Sequence, residues 1–328
     1  MNYAILGTSM LCKQYATAIE RAGDCFYGVC SRELCRAEEF AGGRALAFDN
    51  LDALLADKAV DAVYICLPNS YHAEASQKCL EAGKHVLCEK PVTTTPDEYR
   101  TLCNIADAAN RKYAEAVMSY FSPVMPKLRN ALNTEKIVLV RLDYCQRSRK
   151  LDRVNAGEMF PTFDRTLCGG VLYDLGIYPI HFAVQLFGTP KEVIATARYL
   201  KEVDATAIVS LRYALFDVVI TVSKAGQGAC GSEIICDKAT YTLRNVSAVP
   251  EAVRKTPQSE SVIGYGVRPP TSAEQYGEFL LSVHQRVIET FSRWACGQDV
   301  EEYLQLRRNS DTAQEILATA HRQIGYWG

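Results

Sequence analysis

From residue 1 to about 116, short runs of β-branched and aromatic residues alternate with stretches whose apolar positions recur at helical spacing. The runs predict strands at Tyr3 to Leu6, Phe26 to Cys30, Ala62 to Cys66, His85 to Cys88 and Tyr113 to Ala116. The stretches between them predict helices at about 10–22, 32–41, 71–82 and 96–111. Such alternation with short connections describes a parallel, doubly wound sheet that binds ligands at the carboxyl ends of its strands. After about residue 118 the rhythm changes. A helix near 123–132, a strand at Ile137 to Gln146 and a Gly-opened helix at about 171–187 lead into strands at Val193 to Leu200, Ala205 to Tyr213, Phe216 to Lys224, Glu233 to Cys236 and Thr240 to Leu243. Consecutive strands without helices between them predict a largely antiparallel, open sheet, so this half reads as α+β. Residues 246–272, rich in Pro, Ser and Gly, read as a long surface loop, and helices at about 273–296 and 303–324 follow.

With 328 residues, the chain divides on this reading into an α/β Rossmann domain (1–118) and an α+β domain (119–328). Its charges nearly cancel, 36 Lys plus Arg against 38 Asp plus Glu, and no basic block is present, so nucleic acid is not an expected partner. The opening MNYAILG reads as a buried strand rather than a secretion signal, and no apolar run reaches the roughly 20 residues of a membrane span. The thirteen cysteines contain no C-x-x-C. Cys25, Cys30 and Cys35 are spaced to fall on a strand and the following helix, so most cysteines are expected to be small buried hydrophobes in a reducing cytoplasm, with no metal site.

Candidate chemistry sits just beyond the predicted strands. Gly7-Thr8-Ser9-Met10-Leu11-Cys12 is a degraded G-x-G-x-x-G. Gly7 can make the tight turn, the small Ser9 lets backbone approach a pyrophosphate at a helix N-terminus, and Cys12 lets the helix pack on the strand. Past the second strand come Ser31, Arg32 and, one helical turn on, Arg36, with no acid before Glu33. An acid there would accept ribose hydroxyls; Ser31 and the arginines instead suit a 2′-phosphate, so NADP is favoured over NAD as cofactor. Solvated arginines at a helix start are the alternative. Cys66-Leu67-Pro68-Asn69-Ser70-Tyr71-His72 and Gly83-Lys84-His85-Val86-Leu87-Cys88-Glu89-Lys90-Pro91 follow, and later Gly169-Gly170-Val171-Leu172-Tyr173-Asp174-Leu175-Gly176-Ile177-Tyr178. Asp174 and Tyr178, spaced i, i+4, are expected on one helix face.

These three motifs, in this order over most of the chain, resemble the glucose-fructose oxidoreductase and inositol dehydrogenase family, and the Gly-x-Ser turn resembles its anhydrofructose reductase branch. The resemblance implies hydride transfer between nicotinamide and a secondary alcohol or carbonyl of a sugar, polyol or cyclic diol. It makes Lys90, Asp174 and Tyr178 catalytic. Lys90 would stabilise the reacting oxygen. The place of Tyr178 is a histidine in the inositol dehydrogenase branch and a tyrosine in the dihydrodiol dehydrogenase branch, where it moves the proton. A phenol with an ordinary pKa near ~10 needs a neighbouring cation for that, which Lys90 would supply. Asp174 would hold a substrate hydroxyl or orient Lys90. Gly7, Thr8, Ser9, Met10, Leu11, Ser31, Arg32, Arg36, Cys66, Leu67, Pro68, Asn69, His72, Glu89 and Lys90 would line the cofactor, with His72 bracing its loop, and the open sheet would form a homodimer or homotetramer. His181 would line the pocket at most, and Arg147, Arg149, Arg153 and Arg165 would meet a polar or anionic ligand or form a solvated basic loop. Two other functions fit the same fold: a non-catalytic, dinucleotide-sensing regulator, which has no need of Lys90 and Tyr178, and a nicotinamide-dependent glycosidase, for which a histidine is expected at position 178.

Overall fold

The computed structural model describes residues 1–264 and 272–327, in two compact units. The first unit comprises Met1–Ala116 and Ser272–Arg308, the second Val117–Thr271 and Asn309–Gly328. Residues 272–308, assigned from sequence to the second domain, thus lie in the first.

In the first unit β1 (Asn2–Leu6), α1 (Met10–Arg21), β2 (Cys25–Cys30), α2 (Leu34–Ala41), β3 (Leu46–Phe48), α3 (Leu51–Ala56), β4 (Ala62–Ile65), α4 (His72–Glu81), β5 (His85–Cys88), α5 (Pro96–Ala108) and β6 (Tyr113–Glu115) alternate. The strands form a parallel six-stranded sheet in the order β3-β2-β1-β4-β5-β6. Both faces of such a sheet are covered, which is why Tyr3 to Ile5 and the whole of β4 are buried with no polar alternation. The sequence reading did not separate β3 and α3, each no more than two turns or three residues long. The return segment explains why 272–308 belongs here. Helix α9 (Ala273–Ala295) turns His284 onto the ring of Tyr15, at 4.6 Å, and Phe291 toward Tyr3, and its Ser292 Oγ lies 2.7 Å from the Tyr3 hydroxyl. Helix α10 (Val300–Gln323) begins in the same unit, where Arg307 pairs with Asp107 at 2.7 Å.

The second unit holds α6 (Val124–Leu132), β7 (Ile137–Cys145), α7 (Leu151–Asn155), α8 (Ile177–Phe187) and the strands β8 (Glu192–Leu200), β9 (Val203–Arg212), β10 (Asp217–Ser223), β11 (Ser232–Cys236), β12 (Thr240–Leu243), β13 (Glu251–Lys255) and β14 (Glu260–Gly264). They make one eight-stranded sheet, β14-β13-β12-β11-β7-β10-β9-β8, antiparallel except where β7 meets β10. One face packs its Val140, Leu142, Val209, Val218, Ile220 and Ile234 under α8 and the second half of α10. The opposite face is traced by register through all eight strands, from Ile194 through Ser210, Val219, Arg141, Glu233, Thr242 and Val253 to Val262.

The expected surface loop at 246–272 is corrected. Val246 to Val249 are buried, and β13 and β14 form a hairpin that extends the sheet, because Ala252 and Val253 alternate between its faces. The remainder, 265–271, lies outside the described residues. The stretch Arg165–Phe187 is also long and apolar enough by composition to cross a membrane, contrary to the sequence reading, but 78% of its most apolar window is buried as the core helix of this unit. All thirteen cysteines are free thiols, seven of them buried.

Candidate active site

In the first unit the sheet register gathers the predicted residues into a line. Leu6 pairs with both Cys30 and Ile65, and Ile65 with Cys88, so Gly7, Ser31, Cys66 and Glu89 lie side by side one residue beyond the strand ends, with Lys90 next. The line falls at the carboxyl edge, where the connection leaving β1 runs to β2 on one side and the connection leaving β4 runs to β5 on the other. Gly7 has φ +124°, and a Cβ there would stand 2.6 Å from the Cys66 carbonyl oxygen, so no other residue makes this turn without displacing β4. Ser9 caps α1 by accepting the Cys12 N–H, and its hydroxyl lies 3.3 and 3.4 Å from the thiols of Cys12 and Cys66. Hydrogen bonding to Cys66 pulls the Cys12 thiol below its ordinary range and pushes that of Cys66 well above. Thr8 and Leu11 are half-buried, and Ser9 and Met10 stand exposed at the mouth of the turn, so a helix N-terminus is presented there that fits a pyrophosphate.

His72 is enclosed. Its Nε2 lies 2.8 Å from the Leu67 carbonyl and its Nδ1 2.8 Å from that of Pro91, which ties the Leu67-Pro68-Asn69 turn to the Lys90-Pro91 turn. Burial lowers its pKa. The ring is engaged with backbone and braces the loop. Glu89 is likewise turned inward: the Tyr64 hydroxyl donates to Oε1 at 2.7 Å, and burial raises its carboxyl pKa. Lys90 itself is half-buried. Past β2, Ser31 is half-buried and Arg32 and Arg36 are exposed, Arg36 paired with Glu33 at 3.1 Å.

In the second unit the Gly-Gly motif makes an unusual helix start. Gly170 has φ +118°, and a Cβ there would fall 2.0 Å from Asp204 Oδ1. That closeness lets the Asp204 carboxylate accept the Leu172 N–H at 2.8 Å and cap the helix from a neighbouring strand. Burial raises the Asp204 carboxyl to about 6. The helix then runs as a π segment over Leu172–Gly176 before α8. Pro179 supplies the reason. It has no N–H to give the Leu175 carbonyl, so the regular ladder is interrupted and a wider turn absorbs the defect. Asp174 is in the π segment and Tyr178 in α8, so the i, i+4 argument for one regular face does not carry across them.

The second unit's sheet does bring them together. Tyr144 pairs in register with Val222 and Cys145 with Ser223, so Tyr144 and Lys224 mark the carboxyl ends of the parallel pair β7 and β10. Tyr178 packs its ring on Tyr144, with centroids 5.6 Å apart, and Asp174 Oδ2 lies 2.9 Å from Lys224 Nζ. No motif of the sequence signals a site role for Tyr144, Lys224 or Asp204. His181 is fully buried. Arg147 pairs with Asp152 and Arg153 with Glu158 at the surface, and Arg165 donates to the Tyr326 carbonyl.

A doubly wound unit with a glycine turn and a lysine at the edge of its sheet, followed by a mixed-sheet unit that presents Asp and Tyr from one helix, defines a two-domain, nicotinamide-dependent oxidoreductase. The chain belongs to the GFO/IDH/MocA oxidoreductases: residues 1–117 match the oxidoreductase family with an NAD-binding Rossmann fold, and 135–242 match the GFO/IDH/MocA C-terminal domain. It is 32% identical to the scyllo-inositol 2-dehydrogenase (NADP(+)) of Bacillus subtilis, over 99% of this chain and 97% of that protein. It is 29% identical to human trans-1,2-dihydrobenzene-1,2-diol dehydrogenase over 65% of each chain. Among solved structures, a 3-ketoreductase from Actinomadura kijaniata bound to NADP and TDP-benzene superposes with a TM-score of 0.82 at 19% identity, covering 96% of both chains.

Proposed function

We propose that the protein is an NADP-preferring dehydrogenase of the cytoplasm that acts on a secondary hydroxyl of a sugar, polyol or cyclic diol, with Lys90, Asp174 and Tyr178 as its reacting set. The observation that carries the reading is the convergence of Asp174 and Tyr178 on the carboxyl ends of β7 and β10, one held by Lys224 and the other by Tyr144. A bound nicotinamide would supply the acceptor or donor for the hydride of the carbinol carbon. Tyr178 takes the hydroxyl proton as the C–H bond breaks and gives it back in the reverse direction, Lys90 stabilises charge on the reacting oxygen, and Asp174 accepts a hydrogen bond from a substrate hydroxyl.

The NADP preference rests on Ser31 and the exposed Arg32 and Arg36 beyond β2. Among the described residues Arg36 is held by a surface pair with Glu33, worth about 0–1 kcal/mol, so a phosphate can take it at little cost. The scyllo-inositol relative uses NADP(+) and acts on a polyol, which agrees with both parts. The free thiols suit a reducing cytoplasm. The sensing regulator and the glycosidase gain no support from the named relatives, which are dehydrogenases. Self-association through the outer face of the eight-stranded sheet completes the proposal, since Ile194, Ile208 and Val262 are 44, 47 and 57% exposed there. The deciding experiment incubates the protein with NADP or NAD and a panel of polyols, aldoses and trans-diols and follows nicotinamide absorbance. Tight nucleotide binding with no turnover of any of them would sink the reading.

A further inference from the structure

We propose that Lys224 is a positioning residue: it fixes Asp174 as an ionised acceptor with one carboxylate edge turned outward, and so sets how tightly a substrate hydroxyl is held. The role rests on the hydride-transfer reading above. Lys224 is only 2% exposed, yet Asp174, its partner at 2.9 Å, is 30% exposed. The pair is therefore asymmetric, with the cation inside and the carboxylate at the surface. Surface pairs of this protein differ: Arg147 and Asp152 are both open to water and can part freely. An ammonium taken out of water is costly unless its protons are satisfied, and Lys224 is built in on several sides. Its Nζ donates to the Thr162 carbonyl at 2.8 Å, lies 4.5 Å over the Phe163 ring, and feels the Asp204 carboxylate. Its backbone is fixed as well, by its N–H to the Ala205 carbonyl and its own carbonyl to the Ser148 N–H. Asp174 lies in the π segment, where the helix's own ladder is interrupted, so an external anchor is what holds the carboxylate in one place.

The test compares full-length wild type with Lys224→Met, Lys224→Arg, Asp174→Asn and the Lys224→Met/Asp174→Asn double variant, using the substrate that gives wild-type turnover. Lys224→Met is expected to raise KM about tenfold or more, the size of one hydrogen bond to a charged group, with a smaller change in kcat. The double variant is expected to be no worse than the poorer single one, because both changes remove the same contact. KM of Lys224→Met should also fall toward the wild-type value as pH rises, since Asp174 without its cation ionises later. Asp174→Asn should erase that pH dependence, and Lys224→Arg should recover part of the affinity. A role in stability alone would lower Tm without a pH-dependent KM that Asp174→Asn removes. Lys224→Gln, which keeps a donor for Thr162, replaces the Met variant if that one does not fold. A KM unchanged in folded Lys224 variants, or single effects that multiply in the double variant, overturns the positioning role alone. A wild type that turns over no substrate overturns the hydride-transfer reading, and this role with it.

Discussion

Lys90 stands at the end of a central parallel strand, and the proposal gives it charge stabilisation rather than nucleotide binding. Lys90→Met is therefore expected to leave the NADPH dissociation constant nearly unchanged while turnover falls about a hundredfold or more; fluorescence titration and steady-state rates read the two separately. An equal loss in both would move Lys90 into the cofactor site. Asp204 gives a second expectation. Its carboxyl is raised from the ordinary 3.8 to about 6 by burial, so between those values the folded protein holds a proton that the unfolded chain has lost. Stability then declines as pH rises from about 4 to about 6, by on the order of 3 kcal/mol in full, and Asp204→Asn should remove that portion of the slope. Denaturant melts of both proteins across this window measure it, and parallel curves would show that Asp204 does not titrate there. Residues of this kind were hard to read from sequence. Gly7, Lys90, Asp174 and Tyr178 stand inside compact motifs, whereas Asp204 lies singly at the start of β9 and Lys224 just past the end of β10, at one edge of this antiparallel pair, in stretches that look like ordinary sheet. Their meaning arises only when β9 and β10 are laid beside the Gly-Gly turn.

The helix opened by Gly169 and Gly170 shows the same limit at larger size. Its existence and length were legible from its apolar run and glycine start, but its π segment was not, although Pro179 three residues past Gly176 is a visible signal of a broken ladder. The hairpin β13–β14 was lost because Pro, Ser and Gly counts outweighed the alternation of Ala252 and Val253, and β3 and α3 because they are too short for periodicity to register. Gly170→Ala is expected to cost several kcal/mol, on the scale of about 3 or more, since it meets both a positive φ and the Asp204 carboxylate at 2.0 Å. Tm by calorimetry checks this, and a loss below about 1 kcal/mol would mean that the Asp204 cap yields easily. The start of α2 carries the cofactor choice. Ser31→Asp with Arg36→Ala should shift preference from NADPH toward NADH, read as the ratio of the two dissociation constants.

Across the whole chain, the outer face of the second unit's sheet sets Ile194, Ile208, Val219 and Val262 among the Arg141–Glu233, Arg212–Glu192 and Lys255–Glu260 pairs. Ile208→Lys is expected to shift the protein toward monomer in sedimentation velocity, while the inward Val209 keeps the fold intact. An unchanged sedimentation coefficient would place any assembly elsewhere.

The return of residues 272–308 to the nucleotide-binding unit also bears on how such proteins can be shuffled. Helix α9 lends that unit His284, Phe291 and Trp294, all buried, so a coding segment that stops near residue 118 does not encode a whole module. A single crossover there joins a foreign α9 to the native Tyr3 and Tyr15, and the rings at this seam must then fit by chance. Exchange of the intact module takes two joints, one on each side of the second unit. Chimeras between this chain and a relative should accordingly melt higher when both joints are used than when only the first is, and in lineages of such proteins the two segments should travel together.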